Sequence, residues 1–233
     1  MFLRTQCFKN RPGALRRGGF IFSGLAQSRL SRILVETDFL MPSPVTRSFL
    51  RTLKSRNVRA NVPSVSEATA ELLAGLVAEY GISSLLELGT AHGYSTVWLA
   101  SAVSESFEKH AGAVPSVITV DFSKPSYEAA IANVAGAGFS NIVTHVFADA
   151  LAYVPTLAGQ EFDAVFLDAE KRSTAKLFSL AWPLVRKGGW MVVDDVVKFK
   201  NKMEDFYALL AERKIPYEIV MTDPDDGVMV FRK

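Results

Sequence analysis

Leu85–Ser95 reads LLELGTAHGYS: an apolar run carrying one carboxylate, Glu87, stops at Gly89, and after three more residues comes Gly93. A short apolar run closed by a glycine predicts a buried β-strand feeding a tight turn. A helix is expected to follow directly, and its first N–H groups are free to meet a carboxylate or phosphate. Gly89 permits the turn, and Gly93 lets backbone approach a ligand with no Cβ in the way. The spacing is G-x-x-x-G, so the GxGxxG dinucleotide fingerprint is not present. Glu87 would repel a pyrophosphate and attract an ammonium or sulfonium. An amphoteric ligand with a cationic end and a carboxylate, such as S-adenosylmethionine, therefore fits better than NAD. A glycine turn that serves packing alone is the competing reading.

Outward from this turn the pattern alternates. Apolar or β-rich runs lie at Ser84–Leu88, Val117–Asp121, Ile142–Phe147, Ala164–Asp168 and Trp190–Asp194, with helical stretches at 94–106, 125–136, 173–186 and 201–213. Pro125 suits a helix start, whereas Pro183 kinks or shortens its helix. Upstream, 43–55 reads as a short basic helix, and a second helix starts at Ser64, where Ser64-x-x-Glu67 has capping-box spacing, and ends at Gly81. The chain closes with YEIVMT (217–222), the turn DPDDG and VMVFRK (228–233), a hairpin. Nearly all-apolar strands separated by helices imply a parallel sheet covered on both faces. The expected fold is α/β, doubly wound and Rossmann-like, with a mostly parallel seven-stranded sheet and a C-terminal antiparallel hairpin. The expected organisation is one domain over 41–233, with its N-terminal helices at 43–80, after an extension over 1–40. The PDD of the hairpin turn reads as solvated turn chemistry.

Composition narrows the class. The chain has 233 residues, 49% of them hydrophobic and 21% charged, within the range of globular proteins. No apolar stretch approaches the roughly 20 residues of a membrane span, and the only cysteine, Cys7, excludes an intramolecular disulfide. The net charge of +2 is unevenly spread: residues 1–35 hold seven basic residues and no acid, which leaves 19 basic against 24 acidic residues in the remainder. An acid-free, arginine-rich start has the composition of a mitochondrial transit peptide, against a plain tail or sequence upstream of a start at Met41. The expected location is intracellular, cytoplasmic or, with a transit peptide, mitochondrial. The acidic body weakens any nucleic-acid reading without excluding it.

A second acid supports the ligand assignment. Asp121 ends VITVD, 32 residues after Gly89, where a nucleoside-binding sheet carries its ribose carboxylate. An acid that caps the next helix is the alternative.

Taken in order and spacing, LLELGTAHGYSTVWLA, VITVD, FADAL, FDAVFLDAEK, LVRKGGWMVVDDV and DGVMVFRK resemble class I S-adenosylmethionine-dependent O-methyltransferases. The nearest likeness is to the small cation-dependent group that contains catechol O-methyltransferase, and it runs from about Asn61 to Lys233. The resemblance implies that Asn61 and Val62 lie over the cofactor, that Glu87 and Ser95 hold its methionine end and that Gly89 lies beneath. It implies further cofactor contacts at Thr90, His92 and Gly93, ribose binding by Asp121, and Asp149 with Ala150 beside the adenine. By the same resemblance Asp168 would serve cofactor, metal and catalysis, Asp194 and Asp195 would complete the divalent-metal set, and Lys171 would be the catalytic lysine. Three carboxylates on neighbouring strand ends repel one another unless a cation intervenes, and hard oxygen ligands suit Mg²⁺. Lys171, made less basic by desolvation and a nearby cation, would accept a proton from the acceptor. Asp195 departs from the cation-dependent pattern, which carries Asn there; metal-independent relatives show an Asp-Asp pair. Glu170 replaces the aromatic residue that precedes the lysine in catechol enzymes.

The function so implied is methyl transfer to a hydroxyl of a small molecule. The alternatives are a tRNA-nucleoside methyltransferase, using the basic residues of 47–59, and a metal-independent small-molecule enzyme of the same fold. No membrane partner is expected, and a homodimer stays open.

Overall fold

The computed structural model describes residues 42–109 and 114–233. The 1–40 extension and its transit-peptide reading lie outside the described residues.

Helices α1 (Pro44–Arg59) and α2 (Glu67–Tyr80) precede an alternating β/α run. It comprises β1 (Ser84–Leu88), α3 (Tyr94–Lys109), β2 (Ser116–Asp121), α4 (Lys124–Gly136) and β3 (Val143–Phe147). Next come α5 (Ala150–Tyr153), β4 (Phe162–Leu167), α6 (Thr174–Ala181), β5 (Val185–Val193) and α7 (Glu204–Arg213). The hairpin β6 (Glu218–Met221) and β7 (Gly227–Arg232) closes the chain.

The seven strands form one sheet in the order β3-β2-β1-β4-β5-β7-β6. The pairings among β1–β5 are parallel, and β7 runs antiparallel to both β5 and β6. Strand order reverses between β1 and β4, and the crevice beyond their carboxyl ends is where such sheets take ligands. Successive strand residues alternate between two cores. Leu85, Val117, Phe166 and Val192 face α2 and α3, through residues such as Leu72, Leu76, Val97 and Leu99. Leu86, Leu88, Val165 and Met191 face α6 and α7, with Phe178 and Phe206. Covering both faces explains why the strands read as almost uniformly apolar.

Four boundaries differ from expectation. Ser66, not Ser64, caps α2: its hydroxyl accepts from Thr69 N at 3.0 Å, while the Ser64 hydroxyl accepts from Asn57 Nδ2 at 2.9 Å. The helix expected over 173–186 ends at Ala181, and Pro183 falls in a 3₁₀ turn over Trp182–Leu184. β5 then starts at Val185, because Val185 pairs with Phe162 ahead of a register shift that brings Trp190 opposite Ala164. That bulge uses Gly188 at φ 77°, a local rearrangement with no periodic signal. α1 also runs four residues beyond the expected end, to Arg59.

Candidate active site

The turn after β1 is tied down on two sides. Gly89 N donates to Val120 O at 3.0 Å. Gly89 has φ 105°, and a Cβ there would lie 2.0 Å from Asp168 O, so only glycine lets the β1 and β4 ends meet this closely. Thr90 N and Ala91 N donate to Asp121 Oδ2 at 3.2 and 2.8 Å, and Ser123 N donates to Asp121 Oδ1 at 2.8 Å. Asp121 thus ties the glycine turn to the residue before α4 and lines the crevice, whereas the cap of α4 is Ser123, whose hydroxyl accepts from Ser126 N.

Glu87 lies beneath the turn, fully buried. Its Oε2 accepts from Thr96 Oγ1 at 2.5 Å and Thr119 Oγ1 at 2.6 Å. The other oxygen, Oε1, has no hydrogen-bond partner. Burial pushes its carboxyl up to about 7; the hydroxyls of Ser95, Thr119 and Thr96 pull the other way, and Asp168 adds to the rise. A buried acceptor with a spare oxygen suits a cationic donor such as an ammonium.

A cavity of about 1270 Å³ opens over the carboxyl ends of the strands. Gly89, Thr90, Ser95, Asp121, Asp149, Ala150, Asp168, Lys171, Asp194 and Asp195 all line it. Asn61, Val62, Glu87, His92 and Gly93 do not. Asn61 and Val62 sit in the turn after α1, next to Pro63, which does line the cavity. The His92 ring pairs with Asn57 (Nδ1 to Oδ1, 3.2 Å), and its carbonyl accepts from Asn133 Nδ2 at 2.9 Å. Gly93 packs on Ala130, 3.4 Å from where its Cβ would stand.

At the other end of the cavity the three predicted carboxylates converge. Asp168 follows β4, and Asp194 and Asp195 follow β5; each offers an oxygen within 4.8 Å of the others. Lys171 Nζ lies between two of them, 2.6 Å from Asp168 Oδ1 and 2.8 Å from Asp195 Oδ2. Burial works against the ammonium, but Asp168 and Asp195 prevail and hold it above its ordinary value. Of the two influences expected to make this lysine less basic, desolvation is outweighed by the two carboxylates at contact. Burial raises Asp168, with Lys171 opposing and Asp195 adding. It raises Asp194 further, reinforced by Asp168 and Asp195. Three carboxylates against one ammonium leave two negative charges in a half-buried site, and hard oxygen donors with that surplus fit a divalent cation.

Asp195 has φ 60°, a left-handed conformation uncommon for a residue with a side chain. It is supported by a residue that the sequence reading assigned to a solvated turn. Asp226, of DPDDG, is only 6% exposed. Its Oδ1 accepts from Val197 N, Lys198 N and Gly227 N at 3.2, 3.1 and 2.7 Å, and its carboxyl faces that of Asp195. Nothing in a run of Asp-Pro-Asp-Asp-Gly separates the buried acid from its exposed neighbours. Lys54 of α1, expected in a basic helix and, on the tRNA alternative, in a basic arm, lines the cavity wall.

Residues 86–196 match a family model described as a methyltransferase domain. The chain is 35% identical over 135 residues to a catechol O-methyltransferase of Mycobacterium tuberculosis, a match covering 58% of each chain. It is 30% identical over 138 residues to a catechol O-methyltransferase of Niastella koreensis, covering 58% of this chain and 59% of that one. The matched part thus spans somewhat over half the length of these curated relatives. Among solved structures, an O-methyltransferase of Bacillus cereus in complex with SAH superposes with a TM-score of 0.70 at 26% identity, over 87% of this chain and 97% of that one.

Proposed function

We propose that this chain, whose residues 86–196 match a methyltransferase domain, is a class I S-adenosylmethionine-dependent O-methyltransferase of the catechol O-methyltransferase-like group, and that it transfers a methyl group from S-adenosylmethionine to a hydroxyl oxygen of a small molecule. The observation that carries this reading is the shared cavity: Gly89, Thr90, Ala91, Ser95 and Asp121 line it together with Asp168, Lys171, Asp194 and Asp195. Its volume of about 1270 Å³ exceeds the range of roughly 300–1,000 Å³ usual for one drug-sized ligand, which suits a donor and an acceptor side by side.

Each residue then has a task that its chemistry allows. Glu87, beneath the turn and behind the cavity lining, would favour the ammonium of the donor's methionine end through the charge of its carboxylate, and Ser95 on the wall would receive the carboxylate. Asp121 and the N–H groups that it orders face the ribose, while Asp149 and Ala150 flank the base. Asp168, Asp194 and Asp195 would hold a divalent cation, which when bound lowers the pKa of the acceptor hydroxyl and fixes its oxygen. Lys171 Nζ sits against the same carboxylates, in position to take the hydroxyl proton when unprotonated and to neutralise the cluster when protonated. Holding donor and acceptor in one orientation is worth roughly 7–11 kcal/mol of the barrier.

Calorimetry with S-adenosylhomocysteine, with and without Mg²⁺, is the direct test, followed by a hydroxyl-acceptor screen. Binding should stabilise the protein by about 2.7 kcal/mol at 100 times Kd. Absence of any thermal shift at millimolar ligand would refute the cofactor assignment. Methyl transfer should stop in EDTA and return with Mg²⁺; full activity in chelator would place the enzyme in the metal-independent branch.

A further inference from the structure

A second chamber, of about 420 Å³, lies against α1 and is lined by Arg47, Leu50, Arg51, Lys54, Glu67 and Trp98, among others. It meets the main cavity at Lys54, Glu67 and Tyr94, which line both. Arg47, Arg51 and Lys54 fall at i, i+4 and i+7 of α1, on one face. Among the described residues neither arginine forms a salt bridge, and no carboxylate lies within salt-bridge distance of Lys54. The Lys54 ammonium is half-buried; it donates to Ser64 O at 3.0 Å and Val65 O at 2.6 Å, and lies 4.9 Å over the Tyr94 ring.

Like charges one turn apart on a helix repel, and partial burial of one of them without a contacting counter-charge adds a desolvation cost. Burial does push the Lys54 ammonium below its ordinary value, and Asp223, Asp194 and Glu67 offset only part of that. The main cavity has the opposite sign, with Asp168, Asp194, Asp195 and Asp226 at one end and Asp223 and Asp225 also on its wall. Apart from Lys198 and Lys202, which flank Phe199 on the main wall, positive charge gathers at the α1 side of this joined space.

We propose that the side chamber binds an anionic group, a carboxylate or a phosphate, at the far end of the methyl acceptor, whose hydroxyl reaches the Asp168–Lys171 end of the main cavity. The assignment rests on the methyl-transfer reading of that cavity. Leu50, Tyr94 and Trp98 supply an apolar wall for the stem of such a molecule, and the arginines supply forked donors for its anion. Repulsion by the acidic end would reject the reversed orientation, so the same charges select the direction of entry.

The test measures binding of three matched probes to the full-length protein loaded with S-adenosylhomocysteine. The probes are 3,4-dihydroxycinnamate, its neutral methyl ester, and the phosphate monoester of 3,4-dihydroxycinnamyl alcohol. At least one anionic probe should bind roughly tenfold tighter than the ester, and the stronger of the two identifies the group as carboxylate or phosphate. The preference should fall to within about twofold in the Arg47→Gln/Arg51→Gln double variant and only in part in Arg51→Lys, which keeps the charge but not the fork. Equal affinity for ester and anions, no binding of any probe, or a preference that survives the double variant would overturn the assignment. S-adenosylhomocysteine affinity is measured on the same samples. Its absence would overturn the cofactor reading, whereas normal affinity without anion preference would overturn the side chamber alone.

Discussion

Replacing Glu87 by glutamine removes one titrating proton with almost no change of volume, at the one fully buried carboxylate beneath the glycine turn. In the fold its carboxyl rises from the ordinary 4.5 to about 7. A raised carboxyl pKa means that the native state prefers the protonated form. Its stabilising contribution is complete below pH 4.5 and is lost as pH rises through about 7. At roughly 1.4 kcal/mol per pH unit the full loss is about 3 kcal/mol, of which about 2.5 falls between pH 5 and pH 8. The glutamine amide can keep the acceptor that Thr96 and Thr119 use and turn its NH₂ to the position of Oε1. Urea unfolding at pH 5, 6, 7 and 8, followed by tryptophan fluorescence, should show wild type losing about 2.5 kcal/mol more than Glu87→Gln across that range. The variant should also bind S-adenosylhomocysteine more weakly, because the amide no longer offers a negative charge to the ligand ammonium. Equal pH slopes for the two proteins would mean that Glu87 stays ionised in the fold, and the reasoning from its burial would be refuted.

Gly89→Ala should cost about 3 kcal/mol or more, since its Cβ would meet Asp168 O at 2.0 Å in a backbone with φ 105°; thermal unfolding measures it, and a loss below about 1 kcal/mol would contradict the close approach. Lys171→Met should lower kcat by about 10²–10⁴ while S-adenosylhomocysteine still binds, which calorimetry beside single-turnover assays can separate. Asp226→Ala leaves the N–H groups of Val197, Lys198 and Gly227 without their acceptor and should cost about 1–3 kcal/mol. It should also weaken Mg²⁺ binding through Asp195, and unchanged stability would show that water replaces the carboxylate freely.

The glycine turn, the acids at the strand ends and the alternation of strands and helices were legible because each is a local property. A strand buried on both faces must be apolar along its length, a tight turn without room for Cβ must be glycine, and acids that end neighbouring parallel strands share an edge. Pro183 marked a break but not its form, since the strand that begins at Val185 depends on its partner Phe162. Ser64 and Ser66 both offer a cap, and the choice between them was made by Asn57, seven residues before Ser64 in the chain. The basicity of Lys171 depends on two carboxylates at contact, one of them 24 residues away, and spacing along the chain does not show that contact.

What the sequence determined by itself was the sheet, its order of motifs and the edge at which ligand-binding groups collect, because short-range sterics and burial periodicity act through neighbours in the chain. Only the tertiary structure decided which acid of DPDDG is buried against Asp195, which face of α1 turns Lys54 into the cavity, and which oxygen of Glu87 is left without a donor. Those outcomes depend on contacts between segments far apart in sequence, where charge and burial are set by what the fold brings alongside.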